Sequence, residues 1–183
     1  MGKAAGLWRG RAMQLILMRH PPIVGDSGIC YGRHDLAADA EAIPACLAAL
    51  SAWSDWPVFS SPALRCRQLA EAFSSRTQFW PHLHELDFGL WEGMPWDALP
   101  RAELDAWAAD IWHYRPGGGE NAAMLRFRWE YVLECWREMG LVRAVVITHA
   151  GVIRMALAQA GVIAESERWI YPIEYGKPYE LVV

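Results

Sequence analysis

A chain of 183 residues with 54% hydrophobic and 21% charged residues can pack one domain, and it is neither disordered nor low-complexity. Its formal net charge of −4 leaves no basic footprint for nucleic-acid binding. The longest apolar runs, Leu15 to Met18 and Ala144 to Ile147, are far below the ~20 residues that span a bilayer, and no signal-like stretch follows the basic N-terminus, so a cytoplasmic protein is expected.

Residues 1–12 read as a loose extension before a single domain at 13–183. Met13 to Met18 is an apolar run ending abruptly in Arg19-His20-Pro21-Pro22, as when a buried strand runs into a loop. Gly25, Gly28 and Gly32 mark residues 21–36 as that structured loop. Ile43, Leu47 and Leu50 recur at helical spacing within 39–53, with Pro44 placed in the first turn. Val58 to Ser60 is a second short strand. Ser61 then reads as a helix cap with Pro62 at the first helical position, and Leu64, Leu69, Ala72 and Phe73 as the buried side. Thr77 to Trp80 is a third strand, and 81–100 a long irregular segment. Leu104, Trp107, Ile111 and Tyr114 form a helical stripe, which makes Trp107 a core residue. A glycine run at 117–119 precedes a long helix from about Asn121 to Met139. Arg143 to Thr148 is the clearest buried strand, followed by a helix from Gly151 to Ala160 and two closing strands, Trp169 to Ile173 and Tyr179 to Val183. Strands alternating with helices predict an α/β fold with a mostly parallel sheet.

Cys30, Cys46, Cys66 and Cys135 are widely spaced and form no CxxC pair, so free thiols packed as small apolar groups are expected. The pair His82-x-His84 would share a face on a strand, but no further ligand cluster accompanies it. No metal and no cofactor are expected.

Two apolar strands each end in a histidine, His20 and His149, and a third leads into a helix whose first turn holds Arg65. Ligand sites of open α/β sheets lie beyond the carboxyl ends of the strands. Were the three strands neighbours, His20, His149, Arg19 and Arg65 would converge into a pocket suited to a phosphoryl group. The helix after His149 would add amide donors and its positive end. Each element alone is a weak signal.

Arg19-His20, Ser60-Ser61-Pro62-Ala63-Leu64-Arg65-Cys66, Glu85 to Gly93 (ELDFGLWEG), Gly118-Gly119-Glu120 and Thr148-His149-Ala150-Gly151-Val152-Ile153-Arg154 together resemble the histidine phosphatases, the phosphoglycerate mutase-like superfamily. The resemblance runs from about Met13 to Val183. It implies a three-layer α-β-α sandwich. It implies His20 as the nucleophile that becomes phosphohistidine, Arg19, Arg65 and His149 as holders of the phosphoryl oxygens, and Glu85 as general acid and then base. On the residues alone, Asp87 and Glu92 are equal candidates for that carboxylate. Phosphoryl transfer needs positioning and positive charge, which this set supplies without a metal; a neutral His20 would attack and a cationic His149 would stabilise the group in flight.

Pro21 stands where the family has a glycine, which removes an N–H, and Asp26 stands where many members have an asparagine. Cys30-Tyr31-Gly32-Arg33-His34-Asp35-Leu36 is similar to a segment of the alpha-ribazole phosphatases, and the short chain leaves little room for the insertions of the mutases. This subgroup implies alpha-ribazole 5′-phosphate, an intermediate of cobalamin biosynthesis, as substrate, with Tyr31 near it. Trp96 could stack on a flat aromatic group. The expected partner is a small-molecule phosphomonoester, with no nucleic acid and no membrane. A broader small-metabolite phosphatase, or a non-catalytic phosphate binder on the same fold, stands as the alternative.

Overall fold

Leu15 and Leu17 pack to one side of the central strand, Ile16 and Met18 to the other. The same division holds for Ala144 and Val146 against Val145 and Ile147. A period of two with both faces apolar is the signature of a sheet covered on each side. The computed structural model describes residues 12–25 and 28–183. The expected N-terminal extension, through residue 11, and Asp26 lie outside the described residues. The strands are β1 (Gln14–Arg19), β2 (Val58–Ser60), β3 (Gln78–Phe79), β4 (Arg143–Thr148) and β5 (Pro178–Val182), in the order β3-β2-β4-β1-β5. All neighbours are parallel except β5, which runs antiparallel to β1.

The helices are α1 (Ile43–Leu50), α2 (Leu64–Phe73), α3 (Arg101–Ala109), α4 (Ala122–Glu138) and α5 (Ala150–Gln159). Cys46 and Leu50 of α1 and Cys66 and Leu69 of α2 cover one face. Leu125, Trp129 and Trp136 of α4 and Val152, Ile153 and Met155 of α5 cover the other. The result is the three-layer α-β-α sandwich. In register, Arg19 lies beside Thr148, and Ser60 beside Ile147. Three strands therefore end on one edge, where His20, Ser61 and His149 leave the sheet together.

Four local expectations are corrected. First, α2 starts at Leu64 rather than at Pro62, with Ala63 as its extended cap residue. The Ser61 amide is engaged by Ile147 O at 2.9 Å, which prolongs the strand pairing, and Asp35 Oδ1 accepts from Leu64 N at 2.6 Å, so a distant carboxylate does the capping. Second, the buried side of α2 is Arg65, Cys66, Leu69 and Ala70, while Ala72 is exposed. Third, α3 stops at Ala109, and its stripe packs with Trp91, Leu99 and Cys30 in a satellite cluster rather than in the main core. Fourth, Trp169 to Ile173 forms turns and not a strand. Ile170 and Tyr171 donate to Glu167 O, and the carbonyls of Tyr171 and Ile173 are taken by Arg154 and Arg19. A backbone spent on arginines has none left for a ladder. Among the described residues, no helix is long and apolar enough to cross a membrane.

Candidate active site

His20 is 1% exposed and its ring is fixed from both ends. Its Nδ1 lies 2.7 Å from Pro21 O. A carbonyl only accepts, so Nδ1 carries the proton and Nε2 keeps its lone pair. Arg65 Nε donates to that lone pair at 3.2 Å. Pro21 thus loses an N–H but keeps the carbonyl that sets the tautomer. Burial first, and the Arg65 charge second, hold His20 well below its ordinary value of 6.5.

Arg65 is fully buried and spends its guanidinium on four partners. Besides His20 it donates to His34 O at 2.9 Å, to Gly32 O at 2.6 Å and to His149 Nδ1 at 3.2 Å. The loop after β1 thereby aims the arginine between the two histidines. Since Arg65 can only donate, His149 Nδ1 accepts, and its Nε2–H donates to Ser61 Oγ at 2.8 Å. Burial and then the Arg65 charge push His149 well below 6.5. Burial against the Arg65 guanidinium therefore favours the neutral form of His149 over the cationic form expected from the sequence. The rings of His20 and His149 lie 5.3 Å apart.

These buried histidines give a pH prediction. His84 joins them, pushed down to about 4 by burial and by Arg33 and Arg128. The unfolded chain takes up protons near 6.5 and the folded chain does not, so their contribution to stability is complete above that value and declines below it. Circular dichroism should show Tm dropping by roughly 5 °C or more between about pH 7.5 and about pH 5.5. An unchanged Tm across that window would mean that the histidines are not held neutral.

Arg19, at the end of β1, donates to Ile173 O at 2.7 Å, and its guanidinium lies 3.5 Å from the centre of the Tyr175 ring. Among the described residues, its Nε is buried without an acceptor. Tyr31 stands beside it, with its hydroxyl 3.4 Å from Arg19 Nη2 and 3.0 Å from the Tyr175 hydroxyl. Tyr31 therefore borders the pocket beside Arg19. Tyr175 is a site residue that the sequence reading missed. It sits on the turn before β5, where Gly176 N donates to Arg19 O at 3.0 Å, and no strand or helix pattern marks it.

Glu85 reaches the same edge from the irregular segment. Its Oε2 accepts from Gly151 N in the first turn of α5 at 3.0 Å, and its Oε1 from Leu86 N at 2.9 Å. A Cβ on Gly151 would stand 2.3 Å from Glu85 Oε1, so glycine is what lets the carboxylate approach the helix end. Asp87 and Glu92, its equals on the sequence, serve the scaffold. Asp87 Oδ1 accepts from Gly89 N, and Glu92 Oε1 from the amides of Arg33 and Phe88. Thr148 Oγ1 ties the segment to β4 through Leu83 O at 2.8 Å.

A cleft of about 410 Å³ opens from Glu85 and Gly151 between Phe88, Trp107, Trp169 and Ile170, with Arg154 on its wall. Trp107 lines this cleft, so its core assignment is corrected. Trp96 does not line it; it stacks behind Trp107, with ring centres 6.2 Å apart and planes at 11°. Trp169, which the sequence placed in a strand, faces the cleft because that strand does not form. The pair His82 and His84 lies around a single helical turn. Among the described residues, no cluster of three or more His, Cys, Asp or Glu is placed to hold a metal ion. All four cysteines are free thiols, three of them buried.

Arg19, His20 and His149 at parallel strand ends and Arg65 from the start of α2, with the Glu85 carboxylate on the same edge, form a cationic pocket suited to a phosphoryl group on an α/β sheet. Residues 15–182 match the histidine phosphatase superfamily, branch 1, and the chain belongs to it. Its enzyme class is accordingly that of a phosphatase, a hydrolase. A candidate alpha-ribazole-5'-P phosphatase from Escherichia coli superposes with a TM-score of 0.82 over 94% of this chain and 91% of its own, at 22% identity. A phosphoglycerate mutase from Thermus thermophilus superposes with a TM-score of 0.68 over 81% of this chain and 85% of its own, at 32% identity. A 6-phosphofructo-2-kinase/fructose-2,6-bisphosphatase from Caenorhabditis elegans is 33% identical over 107 residues, which are 55% of this chain. This chain matches only 23% of that relative's length.

Proposed function

We propose that the protein is a metal-independent phosphomonoesterase that works through a phosphohistidine on His20, with alpha-ribazole 5′-phosphate as its substrate. The observation that carries the reading is the His20 ring. Its Nδ1–H is pinned on Pro21 O, and its Nε2 lone pair faces the Arg65 guanidinium. A phosphoryl oxygen takes over the Arg65 Nε donor and satisfies the buried Arg19 Nε. Nε2 then attacks phosphorus, the ester P–O bond breaks, and Glu85 gives the leaving oxygen a proton. Water next attacks the phosphohistidine, Glu85 takes the water proton, and inorganic phosphate leaves a neutral His20.

The group attached to the leaving oxygen lies next to the proton donor. That position is the cleft walled by Trp107, Trp169 and Phe88. A planar base fits indole walls, which supports alpha-ribazole over a small polar sugar. The Tyr31-Gly32-Arg33 segment and the fold of the Escherichia coli neighbour point the same way. The same cleft would also accept other aryl or nucleoside monophosphates, which keeps a broader phosphatase as the second reading.

The test is phosphate release from alpha-ribazole 5′-phosphate in EDTA, beside a small aliphatic phosphomonoester. Trp169→Ala should raise KM for alpha-ribazole 5′-phosphate about tenfold, the loss of one base–indole contact, and leave the aliphatic ester unchanged. Wild-type preference for the aliphatic ester, or equal effects of Trp169→Ala on both, would remove the alpha-ribazole assignment.

A further inference from the structure

Four charged side chains lie between the two halves of the site and take no part in the chemistry above. Arg128, on α4, donates to the carbonyls of the segment that carries the acid: His82 O at 2.6 Å, His84 O at 3.1 Å and Glu85 O at 3.3 Å. Its other bonds go to both carboxylate oxygens of Glu120, at 2.9 and 2.8 Å. The two side chains are only 12% and 11% exposed. Glu120 also accepts from Asp87 N at 3.3 Å, and it pairs with Arg33 at 3.0 Å. Arg33 pairs in turn with Asp87 at 3.6 Å.

Arg33 stands between Gly32 and His34, whose carbonyls hold Arg65, which holds His20. The result is a path from the nucleophile to the proton donor made of polar contacts joined by the backbone at residues 32–34. Burial alone would push the Glu120 carboxyl up; the hydrogen bond and charge of Arg128, with Arg33 behind it, outweigh that and keep it low. Glu120 is thus a carboxylate with an arginine on either side. The segment from Pro81 to Phe88 contains no strand and only one short helical turn, so its own backbone does not hold it rigid. Acid catalysis is sensitive to displacements of well under 1 Å.

We propose that Arg33, Glu120 and Arg128 form a strut that sets the reach of Glu85 to the leaving oxygen, and that they are positioning residues for the proton-transfer step. The proposal rests on the phosphohistidine reading above. A strut for the acid and a mere fold stabiliser differ in their dependence on the leaving group. An aliphatic alkoxide cannot leave without a proton, whereas 4-nitrophenolate can. The measurement is kcat/KM, which reports the steps through loss of the leaving group, for an aliphatic phosphomonoester and for 4-nitrophenyl phosphate.

Glu85→Gln sets the pattern: a large loss on the aliphatic ester and a small one on the nitrophenyl ester. Glu120→Gln and Arg33→Gln should reproduce it, with about a tenfold loss or more on the aliphatic ester and less than about threefold on 4-nitrophenyl phosphate. Added to Glu85→Gln, either change should cost little more, because the strut acts only through that carboxylate. Arg33 is partly exposed, so Arg33→Gln reads the strut even if Glu120→Gln does not fold. Equal losses on the two esters, no loss on either, or full additivity with Glu85→Gln would overturn the strut. Failure of the underlying reading looks different: wild-type hydrolysis would then be absent or indifferent to His20→Ala, and the strut would fall with it.

Discussion

His20→Ala is expected to abolish phosphate release, with kcat lowered by about 10⁴-fold or more, if His20 forms the covalent intermediate as proposed. The structure says why no neighbour substitutes. His149, the nearest imidazole, turns its Nδ1 lone pair to Arg65 and its Nε2–H to Ser61 Oγ. It therefore offers no free nitrogen to phosphorus. Cys66 is buried beneath His149, and burial pushes its thiol up to about 12, so no thiolate is available. Brief incubation with a ³²P-labelled ester and acid-free electrophoresis should show a base-stable, acid-labile label on the wild-type chain and none on His20→Ala. Fold is checked by the near-UV spectrum, since the substitution only truncates a ring at the sheet edge. Hydrolysis persisting in His20→Ala would end the phosphohistidine mechanism.

Arg65→Lys is the second large effect. The change keeps the charge and removes the fork. One ammonium cannot reach Gly32 O, His34 O, His20 Nε2 and His149 Nδ1 together. Loss of this preorganised donor set should reduce kcat/KM about 10²–10³-fold. The stranded carbonyls and the buried ammonium should lower Tm by roughly 5–10 °C. A phosphate analogue such as vanadate should bind more weakly in step with kcat/KM. Near-wild-type activity in Arg65→Lys would show that point charge, and not the fork, is what the site needs.

Charge and fork together explain why the site works with neutral histidines. A cation buried beside Arg65 would be repelled by it, so the pocket favours uncharged imidazoles and draws its positive charge from the Arg19 and Arg65 guanidiniums.

Much of the fold was legible along the chain. Buried strands announce themselves by continuous apolar runs, as at Leu15 to Met18 and Ala144 to Ile147, and α4 by its Asn121 cap, whose side chain accepts from Met124 N. Short motifs at the strand ends singled out Arg19, His20, Arg65 and His149 as candidates and, through resemblance, Glu85. Local rules failed where backbone groups bond at a distance. Ser61 looked like a cap, but Asp35 caps α2, and Ser61 serves His149. Trp169 to Ile173 looked like a strand, but its carbonyls bind Arg154 and Arg19.

What the amino-acid order determined by itself is most of the elements and the candidate reacting groups, because helical and strand periodicity and the chemistry of a side chain are local properties. Only the tertiary structure decided which form of His149 its surroundings favour, what Asp87 and Glu92 bond to, the place of Tyr175, and the side of Trp107 that meets the cleft. Three of these depend on a partner far along the chain: Arg65 for His149, Arg33 for Glu92 and Tyr31 for Tyr175. Burial and hydrogen bonding between such residues come into being only when the strands align, and no spacing in the chain encodes them.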